Sequence, residues 1–204
     1  MKPLLVLLGV ALVSATGALA SARVAPAKLV LKPAQVGPKY VVVPFQGGQK
    51  LTQPTLDMCH MSFPSEKLRV ARSQVVYQRG RNDPTVSNEV VSYKAGGAAQ
   101  AMREIRAGAK RCPKGAVTSG SASITTTITV LHPQAALLPG FVALAFHETG
   151  TVDGKPASLD GSAVYQVKGN TLSGVYSYAS TPAVRIRILL HAAARSALNL
   201  KTRG

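Results

Sequence analysis

Alternation of apolar and polar residues predicts most of the strands in this chain. The runs 69–79 and 86–93 alternate in this way and flank residues 80–84, where Gly, Asn, Asp and Pro favour a turn, so they predict an antiparallel hairpin. The turn-forming pairs Asp153-Gly154 and Gly169-Asn170 lie farther along and indicate an antiparallel meander. Four more strands are predicted there, at 124–130, 141–148, 163–168 and 172–178.

Two segments show a helical period instead. From Ala98 to Arg111, apolar residues recur every three or four positions on one side and basic residues occupy the other, until Pro113 ends the pattern. The final helix is predicted to begin at Thr181-Pro182, a capping residue followed by proline at the first helical position. The order β-β-α-β-β-β-β-α predicts an α+β fold, an antiparallel β-sheet with two packed helices.

Residues 23–55 differ from the rest because prolines interrupt short apolar pieces. We interpret them as an extended N-terminal arm with an edge strand at 40–45, since Pro44 cannot continue a central strand. The α+β domain is then expected to span residues 56–204.

Residues 1–22 are typical of a secretory signal peptide. One lysine and an apolar run precede small residues that predict cleavage near Ala20 or Ala22. We therefore expect a secreted protein of the cell envelope. An uncleaved membrane anchor is the alternative, although a span needs roughly 20 apolar residues and this run is shorter.

The mature chain contains both cysteines, Cys59 and Cys112, and exported proteins retain disulfides. We predict a Cys59–Cys112 bridge. A metal site at His60 and its neighbouring cysteine would need further ligands, and the other histidines show no metal-ligand spacing. No metal or cofactor is expected.

The charge of the chain indicates which partners it favours. It contains 24 Lys and Arg against 8 Asp and Glu, a net charge of +16, and removal of residues 1–22 leaves +15. Anionic envelope polymers and phospholipid head groups are the expected partners of such a protein, the latter through a peripheral membrane contact. Arg103, Arg106 and Lys110, on the basic side of the first helix, form the candidate surface; a basic surface spread over all faces is the alternative. Nucleic acid is not expected for an exported chain without tryptophan.

No catalytic motif stands out in the sequence. G-x-S-x-G is absent, and His147-Glu148 has no second histidine at the spacing of a zinc protease. Paired carboxylates for glycoside chemistry could come from Glu148, Asp153 and Asp160, but turn and surface roles account for these acids more simply. We predict that the protein is not an enzyme.

Several short stretches within residues 75–113 resemble a known family. The matching residues are Val75-Val76-Tyr77, Ser87-Asn88-Glu89-Val90-Val91 with Tyr93, Gly96-Gly97-Ala98, Gln100-Ala101-Met102, Glu104 and Cys112-Pro113. They are similar to the PknH-like extracellular sensor domain family, which includes ligand-sensing ectodomains of actinobacterial Ser/Thr protein kinases and exported proteins with no kinase attached. The similar layout extends over roughly residues 50–200.

The resemblance implies an antiparallel sheet with packed helices and a cleft that receives a ligand. The kinase ectodomain of the family has two disulfides, whereas this chain can form one, and no kinase domain is present here. We therefore expect either a secreted binding protein or a soluble partner of a separate receptor.

Asn88, Glu89 and Tyr93 are the candidate ligand-binding residues in the matching stretch. Structural roles are the alternatives: an ion pair of Glu89 with Arg72 or Arg79 across the hairpin, a bend capped by Asn88, and core packing of Tyr93.

The sequence thus predicts a secreted, non-catalytic sensor-like module that binds a small ligand. The alternative function is a basic cell-envelope protein that binds anionic wall polymer or a membrane surface electrostatically, an interaction that salt would weaken.

Overall fold

The computed structural model describes residues 24–59, 61–80, 85–112, 116–179 and 181–203. The predicted signal peptide, most of the predicted turn at 80–84, His60 and Pro113 lie outside these residues. No helix among them is long and apolar enough to cross a membrane.

Within these described residues, eight strands form one antiparallel sheet in the order β1-β2-β3-β8-β7-β6-β5-β4. The hairpin of β2 with β3, the meander from β5 to β8 and the edge strand β1 are confirmed. A short strand, β4, also pairs with β5 inside a Gly/Ser-rich stretch that predicted no strand. The bounds are β1 Val41–Val43, β2 Arg69–Gln78, β3 Thr85–Tyr93, β4 Val117–Ser119, β5 Ala122–Leu131, β6 Val142–Val152, β7 Lys155–Lys168 and β8 Thr171–Tyr178.

Strands β6 and β7 are longer than the sequence pattern indicated. Their outer halves carry Thr, Ser and Gly, so the hydrophobic alternation fades although the ladder continues to the Asp153-Gly154 turn. Both turn residues have positive φ, 51° and 73°, as a tight hairpin between twisted strands requires. The hairpin therefore extends beyond the helix-covered part of the sheet.

In the part of the chain that the structure describes, four helices accompany the sheet: α1 Pro26–Leu29, α2 Pro33–Val36, α3 Gly97–Arg111 and α4 Pro182–Arg203. A 3₁₀ helix at Pro64–Leu68 precedes β2. The predicted α+β fold with two packed helices is confirmed by α3 and α4. The arm, expected to be extended, instead forms the one-turn helices α1 and α2 before β1.

The two long helices lie on opposite faces of the sheet, which we call the α3 face and the α4 face. Alternate residues of a strand belong to different faces, so in β3 Val91 packs against α3 and Val86 against α4. Both helices present alanines to the sheet, including Ala101 and Ala193, and small side chains let a helix lie close to the strands. Helices α1 and α2 add to the α4 face, where Leu31 and Val36 join the core.

The predicted disulfide between Cys59 and Cys112 is confirmed, with Cα atoms 5.5 Å apart. It joins the segment that follows β1 to the C-terminal end of α3. This connection fixes one wall of the site described next.

Candidate functional site

A cleft opens on the α3 face beyond the end of α3. Two adjoining cavities, of about 500 Å³ and 150 Å³, share Asp57, Tyr165, Tyr176 and Tyr178 among their lining residues. Strands β2, β3, β5, β6, β7 and β8 contribute the sheet side of the cleft. The other side comes from residues 45–59, which we call the cover segment.

The cover segment is held by charged groups at its base. The Glu66 carboxylate accepts hydrogen bonds from the backbone N–H groups of Thr55 and Leu56, at 2.9 and 3.1 Å. Arg69, which pairs with Glu66 at 3.0 Å, donates to two backbone carbonyls of the segment at 2.6 and 2.7 Å. With Cys59 bonded to α3, the segment is anchored from both sides, which favours a cleft that exists before any ligand binds.

The larger cavity has a polar wall centred on Glu89. Its carboxylate accepts a hydrogen bond from Arg72 Nε at 2.7 Å and from Thr55 Oγ1 at 2.8 Å, and only 3% of the side chain is exposed. Burial raises the pKa of Glu89, while Arg72 and the Thr55 hydroxyl oppose that rise. Arg72 also donates to Gln74 at 2.7 Å, which in turn donates to Ser87 at 2.9 Å.

Aromatic rings form the part of the cleft that both cavities share. Tyr165 and Tyr176 meet edge to face with centroids 5.7 Å apart, and Phe146 and Tyr178 do so at 5.8 Å. Burial raises the pKa of Tyr178 to about 12, with a smaller contribution from the charge of Glu148, and burial also raises the pKa of Tyr165 and Tyr176. All three hydroxyls are therefore neutral at physiological pH.

Two glycines in the strands make room for these rings. A Cβ at Gly161 would overlap the ring of Phe146, and a Cβ at Gly174 would lie 2.8 Å from the Tyr176 hydroxyl oxygen. Glycine within a strand often marks such a close approach. The aromatic wall thus depends on positions that carry no side chain.

Two carboxylates, Asp57 and Glu148, remain beside the aromatic rings. Asp57 is exposed and Glu148 is half-buried. Among the residues that the structure describes, neither forms an ion pair.

The candidate ligand-binding residues of the sequence lie in three different environments. Glu89 lines the cleft and pairs with Arg72, one of its two anticipated partners. Asn88 lies on the α4 face, where its Oδ1 accepts from the Leu31 N–H at 2.8 Å and its Nδ2 donates to Ser173 Oγ at 2.9 Å and to a backbone carbonyl of β8 at 3.0 Å. Tyr93 lies on the α3 face, buried beneath α3 itself.

The basic candidates of α3 lie on its outer side. Arg103, Arg106 and Lys110 are all exposed, and the Arg106 guanidinium donates to the carbonyl of Gly140. Glu104 on the same helix accepts from the Ser65 N–H at 3.1 Å and from its hydroxyl at 2.6 Å. Glu104 therefore anchors the 3₁₀ helix to α3 through Ser65.

The acids considered for glycoside chemistry lie apart from one another. Asp160 projects from the α4 face and contacts His147 Nδ1 at 2.9 Å, whereas Glu148 projects into the cleft on the other face. Asp153, at the hairpin turn, accepts a hydrogen bond from Ser121. In the described ranges, no three His, Cys, Asp or Glu side chains are close enough to hold a metal ion.

Sequence reasoning missed the aromatic wall and the cover segment as parts of one site. The site combines β6, β7 and β8 with the cover segment, which lies about one hundred residues earlier in the chain. A periodic pattern of apolar residues acts over a few positions and does not predict such a contact. The available signal was Gly174, which interrupts the strand predicted at 172–178.

Comparison with solved structures identifies a similar fold. The crystal structure of the extracellular domain of PknH from Mycobacterium tuberculosis superposes with a TM-score of 0.53 at 14% sequence identity, over 88% of this chain and 98% of that one. No protein-family model matches the chain, and no curated protein matches it by sequence. The two proteins therefore share a fold.

Proposed function

We propose that this protein is a secreted, non-catalytic sensor-like module that binds a small ligand in the cleft of the α3 face. The observation that carries the proposal is the cleft itself, with a cavity of about 500 Å³ between the cover segment and the sheet. Its size and its combination of aromatic rings with a few convergent polar groups are typical of small-molecule sites. The extracellular origin of the similar structure supports the same interpretation.

We restrict the proposed binding residues to those that line the cleft and do not include all three candidates on β3. Glu89 stays in the set, and Tyr176, Tyr178 and Phe146 join it because they line the cavities. Asn88 and Tyr93 would act on the ligand only through the strand that they hold in place.

A pair of neighbouring substitutions tests the site. Leu159 lines the smaller cavity, whereas the exposed Ser158 projects from the opposite face of β7. A small molecule that binds the native protein raises its Tm with concentration. We expect Leu159→Trp to abolish that rise and Ser158→Trp to preserve it. Equal shifts in both variants would exclude the smaller cavity, which Leu159 lines, from the binding site.

Electrostatic binding to anionic wall polymer or a membrane surface is the second candidate function. One observation favours it: α4 contains no acidic residue over its 22 positions, while Arg187, Arg195 and Lys201 on it are exposed. The three exposed cations of α3 provide a comparable basic surface on the other side of the sheet.

Matched triple substitutions separate the two basic surfaces. Replacement of Arg187, Arg195 and Lys201 by glutamine is compared with the same change at the three α3 cations, using sedimentation with vesicles that contain anionic phospholipid. Binding through one helix predicts a loss confined to one triple variant and a stronger effect at low salt than at high salt. Binding that neither triple variant weakens would exclude both helices.

A further inference from the structure

We infer that the ligand of the cleft is an organic cation with an apolar group, such as a quaternary or protonated amine attached to a hydrocarbon. The inference rests on the proposed function of the cleft and specifies the class of ligand. It follows from the charges and the ring content of the residues that line the two cavities.

The cleft reverses the charge balance of the chain. The whole sequence has three times as many basic as acidic residues, 24 against 8. Among the described residues that line the cavities, however, three are acidic, Asp57, Glu89 and Glu148, and one, Arg72, is basic. A cavity lined by one sign of charge attracts ligands of the opposite sign.

Two of the three carboxylates that line the cleft, Asp57 and Glu148, are available to a ligand. Arg72 and Glu89 contact each other at 2.7 Å, so Glu89 already has a cationic partner within the protein. Asp57 and Glu148 both line the smaller cavity, on the cover segment and on β6, and neither forms an ion pair with another described residue. A ligand between the cover segment and the sheet would lie between these two negative charges.

The aromatic content of the cleft fits the same class of ligand. Five of the ten aromatic residues in the sequence line the two cavities, namely Phe45, Phe146, Tyr165, Tyr176 and Tyr178. The face of an aromatic ring attracts a cation, and groups of such rings bind quaternary ammonium ions in proteins. Glu148 lies near enough to Tyr178 for its charge to contribute to the raised pKa of the phenol, so ring and carboxylate share one part of the cavity.

The positive net charge of the protein opposes the binding of a cation, which makes the inference easy to test. A protein with an overall excess of positive charge attracts anions and repels cations at long range. Preference for a cation would therefore have to come from the cleft.

The experiment uses three probes that share one phenyl ring and differ in charge: benzyltrimethylammonium, benzyl alcohol and benzoate. Each is titrated into the purified protein, and binding is followed by the NMR shifts of the methyl groups of Ile128, Leu144 and Leu159, which line the cleft. The methyl groups of Leu189 and Leu200, on the other face, serve as the internal control. We expect the cation to bind at least about tenfold more tightly than the alcohol, and benzoate to leave the cleft signals unchanged.

A double variant tests the source of the preference. Asp57→Asn with Glu148→Gln keeps the shape of both side chains, and we expect it to remove most of the roughly tenfold preference while benzyl alcohol binds as before. Asp160→Asn is the matched control, since it removes an acid from the opposite face. An unchanged preference in the double variant would overturn the assignment of these carboxylates.

The probes also separate this inference from the proposed function. Binding of the alcohol or of benzoate in the cleft, as tight as that of the cation, would overturn the cation inference and support a cleft for another ligand class. The absence of any shift at the cleft methyl groups with all three probes would overturn the inference and count against the proposed function as well.

Discussion

The two faces of the sheet use their buried polar residues in different ways. On the α4 face, Asn88 binds the backbone of Leu31, and Gln166 donates to the Ala193 carbonyl at 3.0 Å and accepts from the Leu138 N–H at 2.9 Å. These groups join the sheet to the segments packed on it. On the α3 face, Arg72 and Glu89 are also bonded, yet they border an open cavity.

The difference follows from how much of each face is covered. The α4 face is packed by a 22-residue helix together with α1 and α2, whereas α3 has 15 residues and ends beside the cleft. The space that α3 does not fill is bordered by the cover segment, which contributes hydrogen bonds and a disulfide more than apolar bulk. One face is thus filled by packed segments, and the other retains an open cavity.

The largest expected effect is on the cleft face, from removal of the disulfide. With the cysteines 53 positions apart in the sequence, the chain-entropy relation gives a loss of about 4 kcal/mol in the free energy of unfolding for Cys59→Ser with Cys112→Ser. Urea unfolding measures it, and reduced wild-type protein is the control, expected to match the variant. A loss below about 1 kcal/mol would show that the cover segment is held by its hydrogen bonds alone.

Asn88→Ala should give the next largest loss, on the α4 face. It leaves the Leu31 N–H and a β8 carbonyl without their side-chain partner in a buried site, so we expect roughly 3 kcal/mol of destabilisation by urea unfolding. Tyr77→Phe, which removes the hydroxyl that donates to the Leu31 carbonyl at 2.6 Å, tests the same anchor with a smaller expected loss of about 1 kcal/mol. A full loss of ligand binding in Asn88→Ala with unchanged stability would contradict a purely structural role.

Gly161→Ala tests the aromatic wall. The new methyl group would displace the ring of Phe146, and we expect a loss of about 2 kcal/mol, as for other overpacked sites, together with a reshaped cleft. Adding Phe146→Leu should recover part of the loss, which a double-mutant cycle measures. Additive effects of the two substitutions would mean that ring and glycine do not interact.

The smallest expected effect is a pH dependence at Glu89. Its pKa in the folded protein is raised above the ordinary value of 4.5, so the native state holds this proton more tightly than the unfolded chain does. The resulting stabilisation is fully present below pH 4.5 and is lost as the pH rises through the folded pKa. Because glutamine does not titrate, the stability of Glu89→Gln should fall less than that of wild type as the pH rises across that window. Parallel stability curves for the two proteins would show an unshifted carboxyl.

Local patterns were sufficient to predict the long strands, α3, α4 and the disulfide. Alternation, helical period and turn residues each act over a few positions, and β2, β3 and β8 follow them closely, whereas β6 and β7 continue beyond the predicted strands. The helices α1 and α2 were missed because a single turn shows no 3.6-residue period. The arm that contains them is held by tertiary contacts such as the Asn199 amide on the Leu29 carbonyl, at 3.1 Å.

The cleft was predictable only in outline. The Arg72–Glu89 pair followed from the hairpin, since both residues belong to adjacent strands. By contrast, Asn88 contacts Leu31 across 57 positions of sequence, and the cover segment approaches Tyr176 across more than one hundred. Contacts of that length are decided by packing of the whole sheet, which a single sequence does not display.

The neighbouring residues Asn88 and Glu89 have a consequence for how the chain folds. They project to opposite faces, and each has partners that suit it alone: a backbone amide on one side, a guanidinium on the other. A one-residue slip of β3 would exchange them, placing a carboxylate under the arm and leaving Arg72 without its charge partner. Misaligned pairings of this central strand are therefore strongly disfavoured. The dipeptide thus helps to specify the register of β3.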